Sequence, residues 1–106
     1  MEFNDFQRQC EKTAVYPREA AISYCVLGLT SEAGEVAGKM KKYMRGDYGY
    51  DAMMLSVSSE LGDVLWYVAM LAKEIGVPLE SIANSVLVKL KNRQEAGTIR
   101  GSGDIR

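Results

Sequence analysis

Two short stretches carry side chains that can do chemistry together: Ser31-Glu32-Ala33-Gly34-Glu35-Val36 and Ser59-Glu60-Leu61-Gly62-Asp63-Val64. Each holds a pair of carboxylates, and in each pair the second follows the first by three residues. On a helix, positions i and i+3 share nearly one face, so each stretch makes a small acidic patch. Two such helices packed side by side gather Glu32, Glu35, Glu60 and Asp63, which repel one another unless a cation sits among them. Carboxylate oxygens are the donors that hard cations such as Mg²⁺ and Mn²⁺ prefer. The same residues also fit the solvated faces of two amphipathic helices, and spacing alone leaves both readings standing.

Composition narrows the chemistry further. The chain has 106 residues, the size of one domain, and 47% of them are hydrophobic. It contains no histidine, which excludes His-based zinc sites, a Ser-His-Asp triad and a Cys-His pair. Any hydrolysis must run on carboxylates, lysines, tyrosines and bound metal. A net charge of −1 and a pI near 5.4 argue against a nucleic-acid binder. No apolar run approaches the roughly 18–20 residues that span a bilayer. The acidic start, Met1-Glu2-Phe3-Asn4-Asp5, has no signal-peptide pattern. Cys10 and Cys25 stand at no metal-binding spacing and read as small core residues of a cytoplasmic protein.

Helices must position the carboxylates. A first is expected from Asn4, as its cap, to about Tyr16, where Pro17 interrupts it. A second runs from about Arg18 to Met44, with an apolar stripe of Ile22, Val26, Leu29, Ala33, Val36, Met40 and Met44. Lys39, Lys41, Lys42 and Arg45 crowd its C-terminal end, where they complement the helix dipole, and some of them could also attract an anionic substrate. After a loop at Gly46-Asp47-Tyr48-Gly49-Tyr50-Asp51, a third helix extends to Ile75. Its stripe is Met54, Val57, Leu61, Val64 or Leu65, Val68, Leu71 or Ala72, and Ile75. Trp66 and Met70 fall opposite that stripe, which points to packing on two sides, one of them against another subunit. Gly76-Val77-Pro78 is a stop and a restart, and a fourth helix runs from about Leu79 to Ala96. The expected fold is all-α, a four-helix antiparallel bundle over residues 1–96. The Gly-rich segment 97–106 follows as a flexible tail.

At about 100° per residue, Glu32 lies roughly 85° from the centre of its stripe, and Glu60 roughly 80° from the centre of its own. Glu35 and Asp63 lie further round on the same sides. Antiparallel packing along the stripes would bring the two acidic edges together. Gly34 and Gly62 sit inside these helices at a cost of about 1 kcal/mol each against Ala, which suggests a crowded neighbourhood.

These residues resemble those of the MazG-like all-α nucleoside triphosphate pyrophosphohydrolases. That family carries Glu-Glu-x-x-Glu on one helix and Glu-x-x-Asp on the next. The matching segments here are Ser31-Glu32-Ala33-Gly34-Glu35 and Glu60-Leu61-Gly62-Asp63. Leu27-Gly28-Leu29, Val64-Leu65-Trp66-Tyr67, Leu71-Ala72 and Gly76-Val77-Pro78-Leu79 match the surrounding context, and the tail looks like that of small phage- or integron-type members. Ser31 departs from the pattern, standing where the family has its first Glu.

The resemblance implies Mg²⁺-dependent hydrolysis, with Mn²⁺ as a substitute, of an NTP or dNTP to the monophosphate and pyrophosphate. This is a house-cleaning or pool-controlling reaction at the α–β phosphoanhydride. Glu32, Glu35, Glu60 and Asp63 would hold metal, with Glu35 and Glu60 taking catalytic roles. Lys89 and Arg93, spaced i, i+4, and Lys42 would grip phosphate, or else form a solvated basic face. Arg100 and Arg106 would close over the phosphates. Phe6, Gln7 and Tyr67 would contact the base; Tyr24 and Trp66 are further aromatic candidates, with Trp66 assigned to a subunit interface. The resemblance also implies a homodimer or a tetramer built from dimers. A non-catalytic, cation-binding oligomerisation module is the competing reading, and a phosphoribosyl-ATP pyrophosphohydrolase a third. No Gly-x-x-x-x-Gly-Lys-Ser/Thr loop is present, which argues against an ordinary ATPase.

Overall fold

The computed structural model describes residues 1–98. Arg100, Arg106 and all but the start of the expected tail lie outside the described residues. Among those described there are four α-helices and no strand: α1 (Phe3–Glu11), α2 (Ala21–Met44), α3 (Tyr50–Glu74) and α4 (Leu79–Glu95). A single 3₁₀ turn, Arg18–Ala20, leads into α2.

The boundaries follow from local chemistry. α2 and α3 each end on a glycine in the left-handed region, Gly46 (φ 86°) and Gly76 (φ 79°). There the chain folds back so that Asp47 N–H reaches the Lys42 carbonyl (2.9 Å) and Val77 N–H the Ala72 carbonyl (2.8 Å). α1 starts one residue before Asn4, and Glu2 N–H donates to the Asp5 side chain at 3.1 Å. It also stops at Glu11 rather than Tyr16, because the chain turns to send the Tyr16 ring into the core.

Asn4 caps a different helix. Pro78 precedes α4 and has no side-chain acceptor for the orphan N–H groups of the first turn. Two side chains of α1 supply acceptors instead: Gln7 Oε1 takes Leu79 N–H (3.1 Å) and Asn4 Oδ1 takes Glu80 N–H (3.0 Å). The Gln7 amide N–H₂ in turn donates to the carbonyls of Ala69 (3.2 Å) and Val77 (3.1 Å). One buried amide therefore ties α1, α3 and the start of α4 together.

α2 and α3 form a long antiparallel hairpin, and α1 lies across one end of it. The core sits at that end: Cys10, Tyr16, Ala21, Cys25, Ala69, Met70 and Leu79, with Phe6, Trp66, Tyr67 and Leu71 around it. Met70 is fully buried within its own chain, not set aside for a partner. The α2 stripe expected to face inward largely faces outward, with Val26 45% exposed and Met44 77%, whereas Val57, Val64, Val68, Leu71 and Ala72 of the α3 stripe are buried or half-buried and Leu61 is 54% exposed. The α2 seam is shifted by one residue, to Ala21, Cys25, Gly28, Glu32 and Lys39, with Val36 common to both. One residue is about 100° of rotation, and both α2 and α3 carry apolar side chains on more than one face, so periodicity alone misplaces the seam.

α4 packs against α1 and the end of α3 and does not touch α2. The four helices therefore do not close into a bundle on one chain. Ile82, Val86, Leu87, Val88 and Leu90 of α4 are exposed.

Candidate metal centre

Glu32 projects from the middle of α2, and Glu60 and Asp63 from the middle of α3. The register that brings them together is set one turn away. A Cβ added at Gly28 would lie 2.1, 2.4 and 2.6 Å from three atoms of the Tyr67 ring. The ring thus lies directly on the α2 backbone. Gly28 precedes Glu32 by one turn, and Tyr67 follows Asp63 by one turn, so this contact holds the acidic turns opposite each other. The glycine that matters is Gly28: Cβ atoms at Gly34 and Gly62 would meet nothing within 4 Å, so the crowding expected there is absent.

Glu32, Glu60 and Asp63 each offer one carboxylate oxygen, and these oxygens all lie within 4.8 Å of one another. Glu32 and Glu60 are half-buried and Asp63 is exposed. Glu60 Oε2 is buried without a hydrogen-bond partner. A buried carboxylate oxygen with no donor is costly, and a cation is the group that would satisfy it. The Glu32 carboxyl is held above the ordinary range, first by the hydrogen bond it shares with Glu60 when protonated, then by burial and by the charges of Asp63, Glu60 and Glu35. Among the described residues the donors gathered here are all carboxylates, the kind of set that suits a hard divalent cation.

Two clefts flank the cluster. One, of about 350 Å³, is lined by Thr13, Glu32, Asp63, Trp66 and Tyr67. The other, of about 290 Å³, is lined by Lys39, Leu55, Ser56, Ser59 and Glu60. Carboxylates thus stand between an aromatic wall and a cationic, hydroxyl-bearing one. Residues 22–98 match the family described as the MazG nucleotide pyrophosphohydrolase domain.

The chain belongs to the MazG nucleotide pyrophosphohydrolase family. It is also similar to the Gene 37 protein of Mycobacterium phage L5, with 39% identity over 114 aligned positions covering 100% of both chains. No solved structure matches it. The two acidic pairs of the sequence are thus on adjoining turns of α2 and α3, and three of their four carboxylates meet.

Glu35 is the one left out. It is exposed, and it acts on the cluster through its charge on Glu32. Lys42 is exposed in the last turn of α2, and Lys89 and Arg93 are on α4, which does not touch α2; none of these lines either cleft around the cluster. Gln7, an expected base contact, is buried at 8% exposure, with its amide committed to Ala69, Val77 and Leu79. Phe6 packs on the core and lines a separate pocket with Met1, Glu2, Phe3 and Leu65. Tyr67 does line the aromatic cleft, and so does Trp66, which stands beside Glu32 and Asp63.

Sequence reasoning missed Thr13, Ser56 and Ser59, and grouped Lys39 with the basic residues that complement the helix dipole or attract an anionic substrate. Lys39 had a signal: it follows Glu32 by two helical turns and so shares its face. Ser56 likewise precedes Glu60 by one turn. Thr13 had none, since only the packing of α1 brings it to α3.

Proposed function

We propose that this chain is a divalent-metal-dependent pyrophosphohydrolase that converts an NTP or dNTP to the monophosphate and pyrophosphate, in nucleotide-pool house-cleaning. The observation that carries this reading is the Glu32–Glu60–Asp63 cluster, with the unpartnered Glu60 Oε2, placed between an aromatic and a cationic cleft. Glu32, Glu60 and Asp63 hold the metal, Mg²⁺ or Mn²⁺. A bound ion of this type neutralises phosphate charge and lowers the pKa of water.

The chain's own residues do the rest. Lys39 Nζ and the hydroxyls of Ser56 and Ser59 receive phosphate oxygens on one side of the cluster. Tyr67 lines the side where the nucleoside lies. Water attacks the α-phosphorus, the bond to the bridging oxygen breaks, and pyrophosphate leaves. Glu35 accepts the proton of the attacking water, a role that rests on its place in the first acidic pair beside Glu32.

The exposed apolar side chains of α2, α3 and α4 support a homodimer or a tetramer of dimers. Assembly is also the route by which Lys42, Lys89 and Arg93 reach a phosphate site. Among the described residues no helix is long and apolar enough to cross a membrane. Cys10 and Cys25 are free and buried, in keeping with a reducing cytoplasm.

The test is to incubate the protein with Mg²⁺ and a panel of NTPs and dNTPs and to identify the products. Monophosphate plus pyrophosphate, abolished by Glu60→Gln, is expected. Release of orthophosphate and a diphosphate would overturn the site of attack. A folded sample that turns over none of them would leave the non-catalytic assembly module.

A further inference from the structure

We propose that Trp66 is the surface on which the nucleobase stacks, and that Thr13 positions its ring for that purpose. This rests on the pyrophosphohydrolase reading and adds to it how the base is recognised. Trp66 shares its cleft with Glu32 and Asp63, so an aromatic ligand lying on the indole has its phosphates within reach of the metal cluster.

The ring is held from several sides. Tyr67 meets it edge to face at 4.9 Å between centroids, and Tyr16 does so at 6.2 Å. The indole Nε1–H donates to Thr13 Oγ1 at 2.9 Å. The Thr13 hydroxyl donates in turn to the Cys10 carbonyl at 3.1 Å. That second bond fixes the hydroxyl rotor and turns a lone pair toward the indole. Thr13 lies just past the end of α1 and is open to solvent, so this chain of bonds adds little to the core; its evident effect is to set the angle of the ring.

Recognition of a particular kind follows. The only hydrogen-bond donor of the indole is already used, so Trp66 offers a base its π-surface and no hydrogen bond. Every base has a π-face, and stacking of this kind tolerates changes of sequence. The cleft contains no asparagine or glutamine that would read a base edge. Trp66 therefore selects for an aromatic base without reading its edge, with purines favoured over pyrimidines by their larger ring.

Trp66 is the sole tryptophan of the chain, so its emission reports on this ring alone. The protein is titrated with AMP, GMP, CMP and UMP in the presence of Mg²⁺, and with ribose 5-phosphate as the base-free probe. Saturable quenching by the four monophosphates, without quenching by ribose 5-phosphate, is expected. Trp66→Leu should raise KM for NTPs by about 5- to 150-fold, the size of one base–aromatic stack, and Trp66→Phe should restore most of it. Thr13→Val should raise KM with little change in kcat, and Thr13→Ser should recover the wild-type value.

Nucleotide hydrolysis without any change in emission, or an unchanged KM in Trp66→Leu, would overturn the stacking proposal and leave the pyrophosphohydrolase reading intact. Quenching without hydrolysis would support the stacking surface and overturn the hydrolase. Neither quenching nor hydrolysis in a folded sample would overturn both. The wild-type titration needs no variant to fold.

Discussion

Gly28→Ala should loosen the hairpin that carries the carboxylates. The added methyl would stand 2.1 Å from the Tyr67 ring, whereas ordinary contacts begin near 3.4 Å, so the ring must withdraw by about 1.3 Å. Overpacking of this kind costs about 1–3 kcal/mol. Withdrawal also disturbs the ring pairs that Tyr67 makes with Trp66 at 4.9 Å and Tyr24 at 6.4 Å. Such pairs contribute about 0.5–1.5 kcal/mol each. Against this, Ala is the better helix former by about 1 kcal/mol. The net loss is about 3 kcal/mol, which in a domain of this size lowers Tm by about 12–24 °C. Thermal unfolding followed by circular dichroism measures it. Gly34→Ala is the matched control: it adds the same methyl in the same helix where nothing lies within 4 Å, and should gain about 1 kcal/mol. If Gly28→Ala proved as stable as the wild type, Tyr67 would not lie on α2 and the account of the site's register would fail. Mg²⁺ should also stabilise Gly28→Ala less than the wild type, because Glu32 is carried on the displaced turn.

Two further outcomes follow from the carboxylates. The Glu32 carboxyl is raised by Glu60 and its other neighbours, so its charged form is disfavoured in the metal-free fold. Glu32→Gln should therefore raise Tm in metal-free buffer near neutral pH and abolish the gain on adding Mg²⁺; in the wild type the metal-free gain should instead appear as pH falls through the raised value. Glu74 is the opposite case: the hydroxyl of Tyr16 and the guanidinium of Arg18 (2.6 Å) hold its carboxyl below the ordinary range. Its contribution to stability is full above the ordinary glutamate value and disappears as pH falls through the lowered one, so urea denaturation should show a deficit in Glu74→Gln at neutral pH that closes in acid.

Much of this protein is legible in one dimension. Helix existence follows from apolar spacing, and the ends of α2 and α3 from Gly46 and Gly76, because helix formation and termination are settled within a few residues. The acidic pairs declare themselves for the same reason: i, i+3 spacing on a helix fixes a shared face without any knowledge of the fold. The absence of histidine excludes His-based metal sites from composition alone.

What tertiary structure decided is which faces meet. The seam of α2 runs through Ala21, Cys25, Gly28 and Glu32 because a glycine admits the Tyr67 ring, and no periodicity argument weighs a missing Cβ against a ring on another helix. That contact separates Glu32 from Glu35, placing the first in the cluster and leaving the second in water. The packing of α1 brings Thr13 to Trp66 and Gln7 to Leu79, pairs 53 and 72 residues apart in the chain. Hydrogen bonds across such separations depend on how whole helices pack, and local sequence carries no record of them.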